Sequence, residues 1–285
     1  MRWVSASHYF HPIEEGMCLP PLEHAIKDHC REPIRRADRF IQLALIGSAR
    51  CVAGYRLDPD CGLYLGSGLG PIGSNIETQK QLVRDLEIPK PFNFINTLGA
   101  SAGFYVARNL GLSGQNHFIS RRHASLCALL HLAATDLDLG ITRQALVGVV
   151  EEVTLPLQEH RLRQGLQADV LVAEGSHWLF LQQDGFGPHA LRVKRFACLE
   201  SLLSDLETAW KPGDLVYSAS TIDPQAADLL CNRYPASLWP DGKHAFHDSL
   251  DAAWLTECLN GKRGVGLFLV DGAADRNWSL FHFGS

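Results

Sequence analysis

Apolar positions along this chain follow two rhythms, one helical and one extended. In "PIRRADRFIQLALIGSARC", Ala37, Phe40, Ile41, Ala44, Leu45 and the small Ser48 form one stripe at helical spacing. "CGLYLG" reads as a short strand and "GSGLGPIG" as a glycine-rich loop. Ser74, with Glu77 three residues on, carries the capping-box signature and predicts a helix over "SNIETQKQLVRDLE". "PKPF" breaks the chain, and the small-residue run "INTLGASAGFYVARNLG" predicts a helix over 96–110 that stops at Gly111. "QNHFIS" is a strand, 123–139 a helix stopped by Gly140, and "QALVGVV" a continuous apolar strand of the kind buried on both faces.

Beyond residue 155 the texture changes. "DVLVA" and "HWLFLQ" read as two strands separated by "EGS". "HALRVKRFA", "GDLVYSA", "GVGLFLV" and "WSLFHF" read as further strands. "LESLLSDLETAW", "PQAADLLCNRY" and "FHDSLDAAWLTECL" read as helices. The alternation argues an α/β protein, and a split near 184–190 divides it into halves of 1–185 and 186–285.

Composition narrows the function classes. The 285 residues carry a net charge of −5 with no basic block, which argues against a nucleic-acid surface. No apolar run approaches the ~20 residues of a membrane span. The start, "MRWVSASHYFHPIEEG", lacks the apolar core of a signal peptide, so a cytoplasmic location is expected. The eight cysteines form no Cys-x-x-Cys pair, and the thirteen histidines show no His-Glu-x-x-His spacing. No metal site is expected, and the cysteines are expected to be reduced and mostly buried.

Two stretches raise the question of chemistry. Gly68, Gly70 and Gly73 fit a dinucleotide fingerprint, but Pro71 sits inside it and no strand with an acidic end follows at the right distance. A tight structural loop is the expectation there. In "HFISRRHASLCALLHLAATDLDLG" a strand turns sharply into a helix, a place where enzymes hold nucleophiles, and His123 stands at the turn. A positive group is disfavoured by the dipole at a helix N-terminus, so a neutral His123 capping or packing locally is expected. A triad of His123 with Ser125 has neither the spacing nor an evident acid.

The stretch "GLSGQNHFISRRHASLCALLHLA" resembles the β-ketoacyl synthases of fatty acid and polyketide synthesis, members of the thiolase fold. "ALVGVVEE", "VAEGSHWLFLQ", "ADRFIQLAL" and "LYLGSGLG" resemble the segments that flank it in that family. The likeness covers about residues 35 to 185 well and the last hundred loosely. It implies a thiolase-like α/β fold of two related halves layered αβαβα, with the second half shortened. Aligned without gaps, the family's nucleophilic cysteine falls on His123, whose imidazole is unsuited to a lasting thioester. Cys127, one turn further on, reads as core. The family's first catalytic histidine falls on Ala219, followed by Ser220 and Thr221. His247 and Lys243 match the second histidine and the lysine as possible remnants.

Such a chain is similar to the chain-length factors of type II polyketide systems, and nearest in detail to the short ketosynthase-like proteins of aryl polyene clusters. The resemblance implies a catalytically inactive subunit, in a heterodimer with an active β-ketoacyl synthase, that shapes the acyl tunnel. It implies no cofactor, since substrate rides on the phosphopantetheine of an acyl carrier protein. Leu98, Ala102, Phe104 and Tyr105 are the tunnel candidates. His117, Phe118, Ile119, Arg121 and Arg122 are the interface candidates, with Phe118 and Ile119 buried near a twofold axis. The arginines would pair with carboxylates across the interface or on the carrier protein. An apolar strand edge there implies poor behaviour of the chain alone. The competing readings are a degenerate acyltransferase, hydrolase or decarboxylase with a rearranged site around His247, and a homodimeric acyl-binding module.

Overall fold

The structure, a computed structural model, describes residues 1–31, 34, 36–183, 190–212, 214–218, 223–234, 248–260, 267–272 and 278–284. Its elements in chain order are β1 (Arg2–Ile13), α1 (Glu23–His29), α2 (Arg39–Cys51), β2 (Gly62–Ser67), α3 (Ile72–Gln79), α4 (Pro91–Asn96), α5 (Gly99–Leu110), β3 (Asn116–Ser120) and α6 (Ser125–Asp138). There follow β4 (Gln144–Glu151), α7 (Leu157–Gln164), β5 (Val172–Gln182), β6 (Leu191–Phe196), α8 (Leu199–Ala209), β7 (Leu215–Ser218), α9 (Pro224–Arg233), α10 (Leu250–Asn260), β8 (Leu267–Gly272) and β9 (Trp278–Phe283).

The strands make two sheets, ordered β1-β5-β4-β2-β3 and β6-β9-β8-β7. From β3 inward the first sheet runs parallel, parallel, antiparallel, antiparallel. From β7 inward the second runs parallel, antiparallel, antiparallel. The second sheet therefore repeats β1, β2, β4 and β5 as β6, β7, β8 and β9, and among the described residues it has no counterpart of β3.

Hydrophobic burial fixes the layers. Phe40, Leu43, Ala102 and Val106 of α2 and α5 pack on one face of the first sheet, against Leu63, Leu146 and Phe180. Leu129 and Leu130 of α6 and Leu255 of α10 pack on its other face and also meet Phe281 and Phe283 of the second sheet. Leu202, Leu206 and Leu230 of α8 and α9 cover the far side of the second sheet against Val216 and Leu280. The result is the αβαβα layering, with α6 and α10 as the shared central layer.

Several local expectations need correction. The sequence reading assigns no element to the first sixteen residues, yet β1 is a twelve-residue strand, half-exposed, at the edge of the first sheet. A register shift between Trp3 and Ser5 interrupts its alternation. The helix assigned to 74 onward starts at Ile72 behind Pro71, and Ser74 is not its cap; its Oγ donates to Asp38 Oδ2 at 2.5 Å. The helix assigned to 96–110 begins only at Gly99, after the extended Leu98, and a separate α4 ends at Asn96; a Cβ on Gly99 would lie 2.2 Å from the Phe118 ring. Gly111 ends α5 at φ +75°, as its spacing predicts. Val172 and Ala173, the end of "DVLVA", join "HWLFLQ" in one strand, β5, in which the polar Glu174 and Ser176 run on because each has a partner within the fold. Glu174 is held by Arg39, and Ser176 Oγ donates to the Leu43 carbonyl at 2.7 Å. Of the seven described cysteines only Cys51, Cys61 and Cys127 are buried.

Candidate functional site

The turn from β3 into α6 is tight and irregular. Arg122, not His123, takes the left-handed conformation, at φ +51°, inside a single 3₁₀ turn over Arg122–Ala124. For a long side chain this is a costly backbone state, of the kind that persists where surrounding contacts hold it. Those contacts come from Asp248, which stands two residues ahead of α10 and is buried. Arg122 Nη1 lies 3.1 Å from Asp248 Oδ2. His123 Nδ1 lies 3.5 Å from Oδ1 and 3.2 Å from the Asp248 main-chain oxygen. In the orientation its surroundings require, the Gln164 amide donates to both carboxylate oxygens, at 3.2 and 3.0 Å. Burial pushes the Asp248 carboxyl above the usual carboxylate range, opposed by Arg122 and His123.

At the start of α6 neither the Ser125 hydroxyl nor the Cys127 thiol is presented. Ser125 is fully buried; its Oγ accepts from the Arg121 N–H at 2.9 Å and faces the carbonyls of Arg122 and Ser67 at 2.8 and 3.0 Å. Cys127 is in the core at 1% exposure. His123 does not pack locally as expected: its partner is 125 residues away. Arg122 likewise finds a carboxylate within its own chain. Ala219, Lys243 and His247, with Ser220 and Thr221, lie outside the described residues.

The glycine-rich loop after β2 is filled by the chain's own acids. Gly68 N–H donates to Glu151 Oε1 at 2.5 Å, Gly70 N–H to Ser67 Oγ at 2.8 Å, and Gly73 N–H to Glu152 Oε1 at 2.8 Å. The donors that would cradle a pyrophosphate are thus consumed, and the loop is the structural one expected. Glu151 also accepts from Ser67 Oγ and from Ser249 Oγ, the residue after Asp248. Burial pushes its carboxyl up to about 7, and that of Glu152 up to about 8. Behind Glu152, Arg39 makes two 2.6 Å bonds to the buried Glu174, Tyr9 OH donates to Glu174 at 3.2 Å, and Asp38 caps α2 at the Ile41 N–H.

One wall of the elbow is a glycine for a steric reason. A Cβ on Gly68 would sit 2.2 Å from Asp248 Cβ. Gly68→Ala is therefore expected to push the start of α10 away and to lower stability by about 1–3 kcal/mol, read by urea denaturation. An unchanged midpoint would mean that Asp248 does not pack on this loop.

At the sheet edge, β3 pairs with β2 on one side only among the described residues. Phe118 and Ile119 are half-buried inside their own chain: Phe118 meets Phe40 edge-on at 6.4 Å, and Ile119 packs on the central layer. What the edge offers outward is its backbone. His117 stacks on Tyr64 at 5.4 Å. Of the tunnel candidates, Ala102 is buried and Tyr105 half-buried, whereas Leu98 and Phe104 are exposed at 52% and 59%. A cavity of about 670 Å³ beside α4 is lined by Arg36, Asp38, Ser74, Lys90, Phe92 and Asn96 among others, and none of the four candidates lines it.

Sequence reasoning missed Asp248, Glu151, Glu152, Arg39 and Glu174. A signal was present for two of them: "EE" ends a continuous apolar strand, where a charge has no place unless a partner waits for it.

No family model matches the sequence, and no curated protein is a significant match to it. Solved structures do match in fold. The ishigamide ketosynthase/chain length factor superposes with a TM-score of 0.66 at 18% identity, over 87% of this chain and 81% of that one. A type II polyketide synthase acyl-carrier protein in complex with its ketosynthase bound to the hexaketide gives 0.65 at 12% identity, over 88% and 86%. The 3-oxoacyl-[acyl-carrier-protein] synthase III from Aquifex aeolicus VF5 gives 0.59 at 12%, over 100% and 99%. The chain thus has the thiolase-like α/β fold of ketosynthases and chain-length factors.

Proposed function

We propose that this chain is a non-catalytic, ketosynthase-like subunit, a chain-length factor, that pairs with an active β-ketoacyl synthase in polyketide biosynthesis of the aryl polyene type. The observation that carries the reading is the elbow. Where a ketosynthase needs an accessible thiol, this chain has His123 facing a buried aspartate, Ser125 sealed in and Cys127 in the core. Acyl groups would arrive on the phosphopantetheine of an acyl carrier protein and stay bonded to the partner's nucleophile. This chain's part is to wall the space they grow into.

The surface supports pairing. The segment from Leu82 to Phe104 exposes apolar side chains that include Val83 (78%), Leu86 (84%), Ile88 (94%) and Phe94 (58%). Solvent-facing apolar area of that extent marks an interaction surface. Separately, β3 is unpaired on its outer side among the described residues, and such an edge invites a second strand. No helix among the described residues is long and apolar enough to cross a membrane.

Co-expression with a ketosynthase, followed by native mass spectrometry, tests the pairing. Incubation with acyl or malonyl carrier protein tests the inactivity: a covalent acyl adduct on this chain would overturn it and favour the acyltransferase or hydrolase reading. Phe104→Glu with Leu98→Lys, both at exposed positions, is expected to leave the isolated chain within about 0.5 kcal/mol of its natural stability. The same pair is expected to weaken association by at least about 30-fold, the loss of one interface hot spot. Association unaffected by both charges would place the interface elsewhere.

A further inference from the structure

Side chains from two segments far apart in sequence converge on one carboxylate of the chain itself. Arg122 and His123 come from the elbow and Gln164 from the end of α7, while Gly68 supplies a wall without a side chain. Arg122 and His123 stand just ahead of α6, in the turn that leads into it. Asp248 reaches this place from the other half of the molecule, and its side chain is 0% exposed there. An Arg, a His and an amide aimed at two oxygens are the donor set that recognises a carboxylate.

We infer that the elbow is a carboxylate-binding pocket that the chain fills with its own Asp248, a built-in occupant that keeps small external carboxylates out. The inference does not rest on the partner-subunit reading. Tethering explains why the internal group prevails: a side chain held at the pocket mouth has an effective concentration in the millimolar range or above, without the entropy cost of capturing a free anion. Ser249, bonded to Glu151 at 2.5 Å, holds the tether on the same sheet.

The test removes the occupant and offers a substitute. Asp248→Ala in the full chain is expected to lower the thermal midpoint. Sodium formate or acetate is expected to raise it saturably, by about 3 °C at ten times its Kd, while sodium chloride at equal ionic strength does not. The natural chain should show no such difference between the salts, and Arg122→Gln in the Asp248→Ala background should abolish the rescue. Equal effects of formate and chloride, no effect of either, or rescue that survives the loss of Arg122 would overturn the inference. Should Asp248→Ala not yield folded protein, Asp248→Asn keeps the shape and removes the charge. In that background formate should have no specific effect, and Arg122→Gln should cost far less than it does in the natural chain. Additive costs of the two substitutions would overturn the inference as well.

Discussion

The Glu152→Gln chain is expected to be more stable than the natural one at neutral pH, with the gap widening to about 4–5 kcal/mol near pH 8. The Glu152 carboxyl has its ordinary value, 4.5, when unfolded, and burial lifts it to about 8 when folded. Below pH 4.5 both states hold the proton and the group contributes no pH dependence. Between 4.5 and 8 the folded state holds one proton more than the unfolded state, so stability falls as pH rises, by roughly 1.4 kcal/mol per unit. Above 8 the loss is complete. Glutamine has nothing to titrate, and its oxygen can still accept the Gly73 N–H that Glu152 accepts at 2.8 Å. Glu151 shifts in the same direction but stands in both proteins, so it cancels in the difference. Urea denaturation of both chains from pH 5 to 8.5 reads the effect; parallel stability curves would show that Glu152 does not hold the buried proton.

The groups around Glu152 make the same point from the other side. Asp38 and Glu174 raise its carboxyl and Arg39 lowers it. Three carboxylates share one guanidinium, and Arg39 is committed to Glu174 at 2.6 Å. Neither Asp38 nor Glu152 has a cation of its own, but Asp38 accepts from the Ile41 N–H and from Ser74 Oγ whereas Glu152 accepts from the Gly73 N–H alone, so the proton falls on Glu152. This proton sits under the first turn of α3, where Glu152 accepts the Gly73 N–H.

The sequence made the frame legible and left the site mostly hidden. Helical stripes and apolar strands are local patterns, so α2, α5, β2 and β4 could be read from their own residues. β1 could not, because an edge strand with one bulge and half-exposed side chains has no clean period. The missing thiol at the elbow was visible as a residue type. What replaced it was not, because Arg122, Gln164 and Asp248 meet only when the second half folds back on the first, 126 residues from Arg122 to Asp248. Two acids that look solvent-facing in "ALVGVVEE" are buried for the same reason: their partners lie on the loop after β2, more than 70 residues earlier. Periodicity reports which face of an element is apolar, not which polar group will meet it.

Trp178→Ala is expected to destabilise the chain by about 3–5 kcal/mol and to lower the thermal midpoint by about 10 °C. The side chain is 0% exposed and is the largest fully buried one among the described residues. Its indole lies over Gly148, its cross-strand partner, and against Gly47 of α2; a Cβ at those positions would fall 2.2 and 2.6 Å from the ring. Its Nε1–H donates to Ser176 Oγ at 2.9 Å, and Ser176 donates on to the Leu43 carbonyl, so one ring fixes the spacing of α2 over the sheet. With glycine on two sides, those two neighbours have no side chain to relax into the space left by truncation, which places the cost at the high end. The same geometry predicts a reversal of sign. Gly148→Ala overpacks the natural chain and should destabilise it, yet in the Trp178→Ala background the added methyl fills part of the void and should stabilise. Two destabilising effects that add instead would mean that Trp178 does not lie on Gly148. Because α2 begins at Arg39, capped by Asp38, the ring that spaces this helix also sets where the buried acid cluster meets the glycine loop.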